Sequence, residues 1–326
     1  MMRHLPLGIL CVAAAMLPCS EVHGQSAPLA DHHQHLFSPA IAALVSGPPP
    51  AAPFQPITAN DIVPMLDAAG MKRAVVLSVA YMYGSPARTV ENEYEKVKAE
   101  NDWTSQQVAL YPNRLVGFCS FNPLRDYALE ELDRCAKDPR LGRGLKLHFG
   151  NSVVDYHNPQ HIARLRRIFR SANNHRMAIV VHMRASISQK MAYGPEEARI
   201  FLNDLLPEAP DVPVQIAHLA GAGGYADPLA DQALAVFAEA IKNKDPRVKR
   251  LWFDVTTIAV PDSTTDQLKL AAIRIREVGV RRILYGSDAA TAGSTPREGW
   301  AAFQRVPLSG SEFRMIAGNI PPYLKR

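Results

Sequence analysis

Eight short β-rich runs recur along the chain at intervals too long for hairpins, and this alternation limits the fold more than any other feature. An opening run at Asp31-His32-His33-Gln34-His35 is followed by 73–80 (RAVVLSVA), 114–121 (RLVGFCSF), 144–148 (GLKLH), 177–182 (MAIVVH), 212–218 (VPVQIAH), 251–255 (LWFDV) and 282–285 (RILY). Between them, 62–69, 89–110, 127–136, 160–173, 195–205, 231–243 and 265–278 carry helical spacing and helix-forming residues. Strands separated by helices join through right-handed crossovers into a parallel sheet. Eight such units predict a closed (β/α)8 TIM barrel. A doubly wound open sheet is the competing arrangement, but no Gly-x-Gly-x-x-Gly follows the first run.

The polar residues sort by position along these runs. In a strand, alternate side chains share a face, so Asp31, His33 and His35 are expected on one side, with His32 and Gln34 on the other. Two converging imidazoles suit a divalent metal such as zinc, which takes neutral ring nitrogens. Lys146 and His148 end the fourth run, His182 the fifth, His218 the sixth and Asp254 the seventh, while Asp288 follows the eighth. One polar residue at a strand end is ordinarily a hydrogen-bonded cap. Six strands that agree on the same end point to a site, because the C-terminal ends of barrel strands open onto one face.

The first 24 residues read as a secretory leader, with Arg3 ahead of a short apolar run and Val22-His23-Gly24 before a cut at Gln25. That run is shorter than the about 20 residues needed to span a bilayer, so residues 25–326 are expected as one exported domain, periplasmic or secreted, without stable membrane insertion. Two of the four cysteines fall in the leader; Cys119 and Cys135 remain, and could pair but are expected mainly as small buried hydrophobes. The net charge of +5 survives cleavage because Arg3 and Glu21 leave together. Basic residues are scattered and often near acidic ones, which argues against a nucleic-acid surface.

These residues together resemble the amidohydrolase superfamily, specifically the branch containing aminocarboxymuconate semialdehyde decarboxylase and related hydrolases. The resemblance runs from about Ala30 to Tyr323. Asp31-x-His33-x-His35 looks like the family's first-strand motif, His182 its fifth-strand ligand, His218 its sixth-strand histidine and Tyr285-Gly286-Ser287-Asp288 its eighth-strand aspartate. Glu100-Asn101-Asp102-Trp103, Tyr111-Pro112-Asn113-Arg114, Gly117-Phe118 and Gly318-Asn319 are also similar to that branch.

The resemblance implies a metal held by His33, His35, His182 and Asp288, with His218 beside it. One divalent ion is expected, zinc first, with manganese or another ion also compatible. A second ion bridged by a carbamylated Lys146 is the alternative. Metal-activated water would attack a small organic ester, lactone or amide, Asp288 would take up its proton and His218 would polarise the carbonyl. Asp31 reads either as a support for the ligands or as a structural residue at the strand start. Lys146 and Arg184 are candidates for an anionic substrate, Tyr81 and His148 for lining its pocket, and Asp254 for binding substrate or orienting His218. A non-oxidative decarboxylase is the second reading and a non-catalytic metal or solute binder the third. Export favours hydrolysis, since decarboxylases of aromatic catabolism usually work in the cytoplasm. Self-association is left open.

Overall fold

The computed structural model describes residues 27–46, 52–184 and 191–325; the expected leader and its cleavage point lie outside the described residues. The eight strands are β1 (Ala30–Gln34), β2 (Arg73–Leu77), β3 (Leu115–Ser120), β4 (Gly144–His148), β5 (Ala178–His182), β6 (Val214–Ile216), β7 (Leu251–Asp254) and β8 (Ile283–Leu284). Each pairs in parallel with the next, in sequence order. The ring is drawn together by two backbone hydrogen bonds, His32 N–H to the Tyr285 carbonyl and Asp288 N–H to the His33 carbonyl, both 2.8 Å. This is the (β/α)8 barrel that the strand and helix alternation predicts.

The expected helices form an outer layer, with ends set by local chemistry. Asn158 caps Pro159–Asn174, which has proline in its first turn where no intrahelical N–H is needed. Thr264 and Gln267 form a capping box on Thr265–Val278, which stops at Gly279 with φ +92°. The 195–205 stretch is Pro195–Ile200 continued by a wider π turn over Phe201–Leu205. The long connection after β1 holds the helix Pro39–Val45 and an antiparallel bridge between Phe37 and Ile57.

Alternate residues of the strands face inward and outward. Val75 and Leu77, Val116 and Phe118, and Ala178 and Val180 join Tyr323 and Leu324 of the terminal helix in an inner cluster. Cys119, next to Phe118, faces the opposite way onto the helix Ala128–Lys137 and is disulfide-bonded to Cys135, with Cα atoms 6.1 Å apart. Of the two readings of these cysteines, the less favoured one, pairing, is what the structure has, because the strand's outward face and the helix's buried face bring the two side chains together.

β1 also departs from simple alternation. Asp31 pairs with Ala74 but Gln34 with Val76, so three steps on β1 oppose two on β2. The bulge brings Gln34 Nε2 within 3.0 Å of Asp31 Oδ2, although strict alternation places these residues on opposite faces. Asp31 accepts from the Ser287 N–H at 3.0 Å and the Ser287 hydroxyl at 2.6 Å, stapling β1 to the segment after β8.

Candidate active site

At the C-terminal ends of the strands a cavity of about 470 Å³ is lined by His33, His35, Tyr81, Lys146, His148, His182, His218 and Asp288, with Met82, Ala222, Gly223, Thr257, Val260 and Thr291 completing the wall. Gly286 makes the close approach possible on the β8 side. A Cβ there would collide with Thr256 Oγ1 and come within 2.6 Å of His33 Cβ, so no larger residue fits.

Backbone and carboxylate acceptors orient most of the imidazoles. His33 Nδ1 lies 3.1 Å from Asp254 Oδ2, His35 Nδ1 is 2.6 Å from the Leu77 carbonyl and His218 Nδ1 is 3.0 Å from the Thr256 carbonyl. These acceptors hold a proton on each Nδ1 and leave the Nε2 lone pairs for a metal or a proton. His148 differs, since its Nδ1 accepts the Asn151 N–H at 3.1 Å. His148 and His182 stack with centroids 4.1 Å apart.

Burial keeps the cluster neutral. It lowers His33 to about 3, with Lys146 adding to the effect, and lowers His35, His148, His182 and His218 as well. Burial alone would raise Asp254, but the His33 beside it holds the carboxyl far below the usual range. Burial pushes Asp288 up, against a hydrogen bond from Thr291 and the charge of Lys146. It also pulls the Lys146 amine down, against the attraction of Asp254 and Asp288. Lys146 Nζ sits 3.2 Å from His33 Nε2, and among the described residues no carboxylate lies within ion-pairing distance of it.

Ligand atoms of His33, His218 and Asp288 all fall within 4.8 Å of one another, and His35 Nε2 is 3.7 Å from Asp288 Oδ1. Asp288 Oδ1 is buried with no hydrogen-bond partner among the described residues. An unsatisfied carboxylate oxygen among neutral imidazole lone pairs fits a divalent cation. Relative to the expected set, His218 joins His33 and Asp288 in the tightest group, while His182 and His35 lie outside it. The reason is local, since His218 adopts φ +54° while its N–H is held by Asp254 Oδ1 at 2.8 Å, and His182 stacks on His148.

Two expected substrate residues are engaged elsewhere. Asp254 is buried behind the site, accepting from Gln215 Nε2 at 2.7 Å as well as from His218 N–H, so it orients ligands and is not among the cavity's lining residues. Arg184 Nε donates to Asp227 Oδ2 at 2.8 Å and the guanidinium lies over the Tyr193 ring, also off the lining. Thr257, Val260 and Thr291 were not expected. Thr257 and Val260 stand in the loop after β7 and Thr291 in the short helix Ala289–Ala292, where no strand period marks them. The glycines after His218 let the backbone come close to the site, with Gly223 on the wall and Gly224 N–H on the Thr257 carbonyl at 2.8 Å.

A profile of the amidohydrolase family matches residues 30–319. The chain belongs to the amidohydrolase family. Family membership makes it an enzyme of hydrolase or decarboxylase type and implies a divalent metal at the site just described. A comparison with curated protein sequences finds no match. Among solved structures, it is similar to 5-carboxyvanillate decarboxylase from Sphingomonas paucimobilis, with 15% identity, TM-score 0.61, and 90% and 97% of the two chains covered. It is similar to a probable 2-pyrone-4,6-dicarboxylic acid hydrolase from Acinetobacter baumannii with citric acid bound, with 18% identity, TM-score 0.56 and coverage of 89% and 96%. A dihydroxybenzoic acid decarboxylase from Polaromonas with bound manganese and 2-nitroresorcinol has 17% identity, TM-score 0.60 and coverage of 92% and 97%. At these identities the likeness is one of fold.

Proposed function

We propose that this amidohydrolase is an exported, metal-dependent hydrolase of a small anionic ester, lactone or amide. The observation that carries the reading is Asp288, whose buried Oδ1 lacks a hydrogen-bond partner among the described residues and whose carboxyl is raised by burial toward the range of a working base. His33, His35 and Asp288, with the imidazoles of His182 and His218 in reach, would hold the cation, zinc in our reading and manganese the nearest alternative. When bound, such a cation supplies Lewis acidity that polarises a carbonyl and acidifies water to a pKa of about 7.

The chain's own groups complete the reaction. Asp288 takes a proton from the attacking water and returns it to the departing oxygen or nitrogen. Lys146 is the charged donor on the cavity wall, and its ammonium suits a substrate carboxylate. The Cys119–Cys135 disulfide supports export, because such bonds persist in oxidising compartments. Decarboxylation is the second reading, favoured by the fold likeness to decarboxylases of hydroxylated aromatic acids.

A panel of aryl esters, anilides and lactones, including 2-pyrone-4,6-dicarboxylate, separates the two. We expect turnover with solvent ¹⁸O in the acid product, abolished by Asp288→Asn. Carbon dioxide release from 5-carboxyvanillate or 2,6-dihydroxybenzoate, with no hydrolysis of any panel member, would reverse the order.

A further inference from the structure

His148 stands apart from the other imidazoles in which ring nitrogen is tied down, and by what. A backbone N–H can only donate, so the Asn151 N–H at 3.1 Å requires a lone pair on His148 Nδ1. A neutral imidazole with a lone pair on Nδ1 carries its hydrogen on Nε2. The opposite tautomer would set the ring hydrogen against the hydrogen of Asn151. His33, His35 and His218 have acceptors at Nδ1 and are therefore Nδ1–H tautomers with their lone pairs on Nε2, that of His33 facing Lys146 Nζ at 3.2 Å. Of the four rings tied in this way, three carry electron pairs on Nε2 and one carries a hydrogen there.

Two rings pack against His148. His182 stacks on it at 4.1 Å and 13°, and Tyr81 contacts it at a tilt of 45° with centroids 5.0 Å apart. Asn151 also steadies Tyr81, donating from Nδ2 to its carbonyl at 2.9 Å. His148 lines the cavity, and its Nε2 has no hydrogen-bond partner among the described residues.

We propose that His148 is the site's catalytic hydrogen-bond donor, presenting Nε2–H to the oxygen of the substrate that becomes negative, and that it is not a metal ligand. The inference rests on reading the cavity as the active site and not on which bond breaks. In hydrolysis, water oxygen bonds to the carbonyl carbon and the carbonyl π pair moves onto oxygen, where Nε2–H receives it. When the pair returns, the bond to the leaving group breaks and that group takes the proton from Asp288. His148 stays neutral throughout. The role expected for His218 passes to His148, because His218 with its proton on the Thr256 carbonyl offers a lone pair where a donor is needed.

Long-range ¹H–¹⁵N correlation spectra of ¹⁵N-histidine-labelled, metal-loaded protein test the tautomers directly. His148, assigned by the signal lost in His148→Gln, should show Nε2–H with bare Nδ1, and His33, His35 and His218 the reverse. Metal content should stay unchanged in His148→Ala and His148→Gln. Methylphosphonate, a tetrahedral oxyanion, should bind the metal-loaded protein about tenfold to a hundredfold more weakly in His148→Ala, with partial recovery in His148→Gln, which keeps an N–H. An Nδ1–H signal at His148, loss of metal in His148→Ala, or methylphosphonate affinity that is absent or indifferent to His148 would overturn the proposal. The spectra and metal content need no turnover, so failure to hydrolyse the panel counts against the reaction class alone.

Discussion

Asp254 Oδ2 lies 3.1 Å from His33 Nδ1, a carboxylate and an imidazole both sealed from solvent at 0% and 1% exposure. The pair fixes the ring so that Nε2 faces the cavity, and the other oxygen of Asp254 holds the His218 N–H. Outer partners of this kind are typically worth about 10–100-fold in metal affinity. Asp254→Asn should therefore weaken metal binding by that order in a chelator competition titration. Unchanged affinity would show that Asp254 serves the fold alone.

Metal stoichiometry tests the role of Lys146. About one divalent ion per chain is expected by elemental analysis, lost in His33→Ala and Asp288→Ala but retained in Lys146→Ala. Two ions that both depend on Lys146 would establish a carbamate-bridged pair, with the Nζ near His33 as its attachment point.

Glu100 should make stability fall as pH rises. Burial lifts its carboxyl from 4.5 to about 7, against the Ser38 hydroxyl that donates to Oε2 at 2.5 Å. The folded chain thus keeps a proton that the unfolded chain gives up above about 4.5. The site's contribution is fully present below that pH and declines until about pH 7. Glu100→Gln should match the parent in denaturant melts near pH 4.5 and exceed it at pH 8, by on the order of 2–3 kcal/mol. Equal gains at both pH values would assign the effect to packing.

The disulfide and the leader can be read together. Cys119–Cys135 closes a loop with a sequence separation of 16, for which chain entropy predicts about 3 kcal/mol. Cys119→Ser with Cys135→Ser should lower the urea midpoint accordingly. Protein recovered from its native compartment should start near Gln25 by mass spectrometry and show no free thiol when denatured. An intact Met1 with two reactive thiols would exclude cleavage, since Cys11 and Cys19 precede the cut.

Alternation and helical period were enough to lay out the barrel, and barrel geometry carried His33, His35, Lys146, His148, His182, His218 and Asp288 to one cavity. What escaped the sequence depends on single backbone torsions or on contacts between distant segments. The β1 bulge turns Asp31 and Gln34 toward Ser287, and no pattern within five residues announces an extra residue. His218 reaches His33 through a left-handed φ that a strand assignment does not contain. Arg184 lies two residues past the end of β5, where strand parity no longer governs direction, and Asp227 claims it. Pairing of the cysteines required knowing which helix covers the outer face of β3.

The hydrogen bonds from Ser287 to Asp31 join residues 256 apart in sequence, nearly the whole length of the barrel. His33 and Asp288 stand at the same two ends, so the first ligands to be synthesised wait for the last before they face one another. A chain emerging in order has no binding site until β8 docks against β1, and ions met earlier find only isolated side chains. If export precedes closure, the compartment of folding selects the metal. Divalent ions compete for such ligands in a fixed order of affinity, so the local supply decides which one the finished barrel encloses.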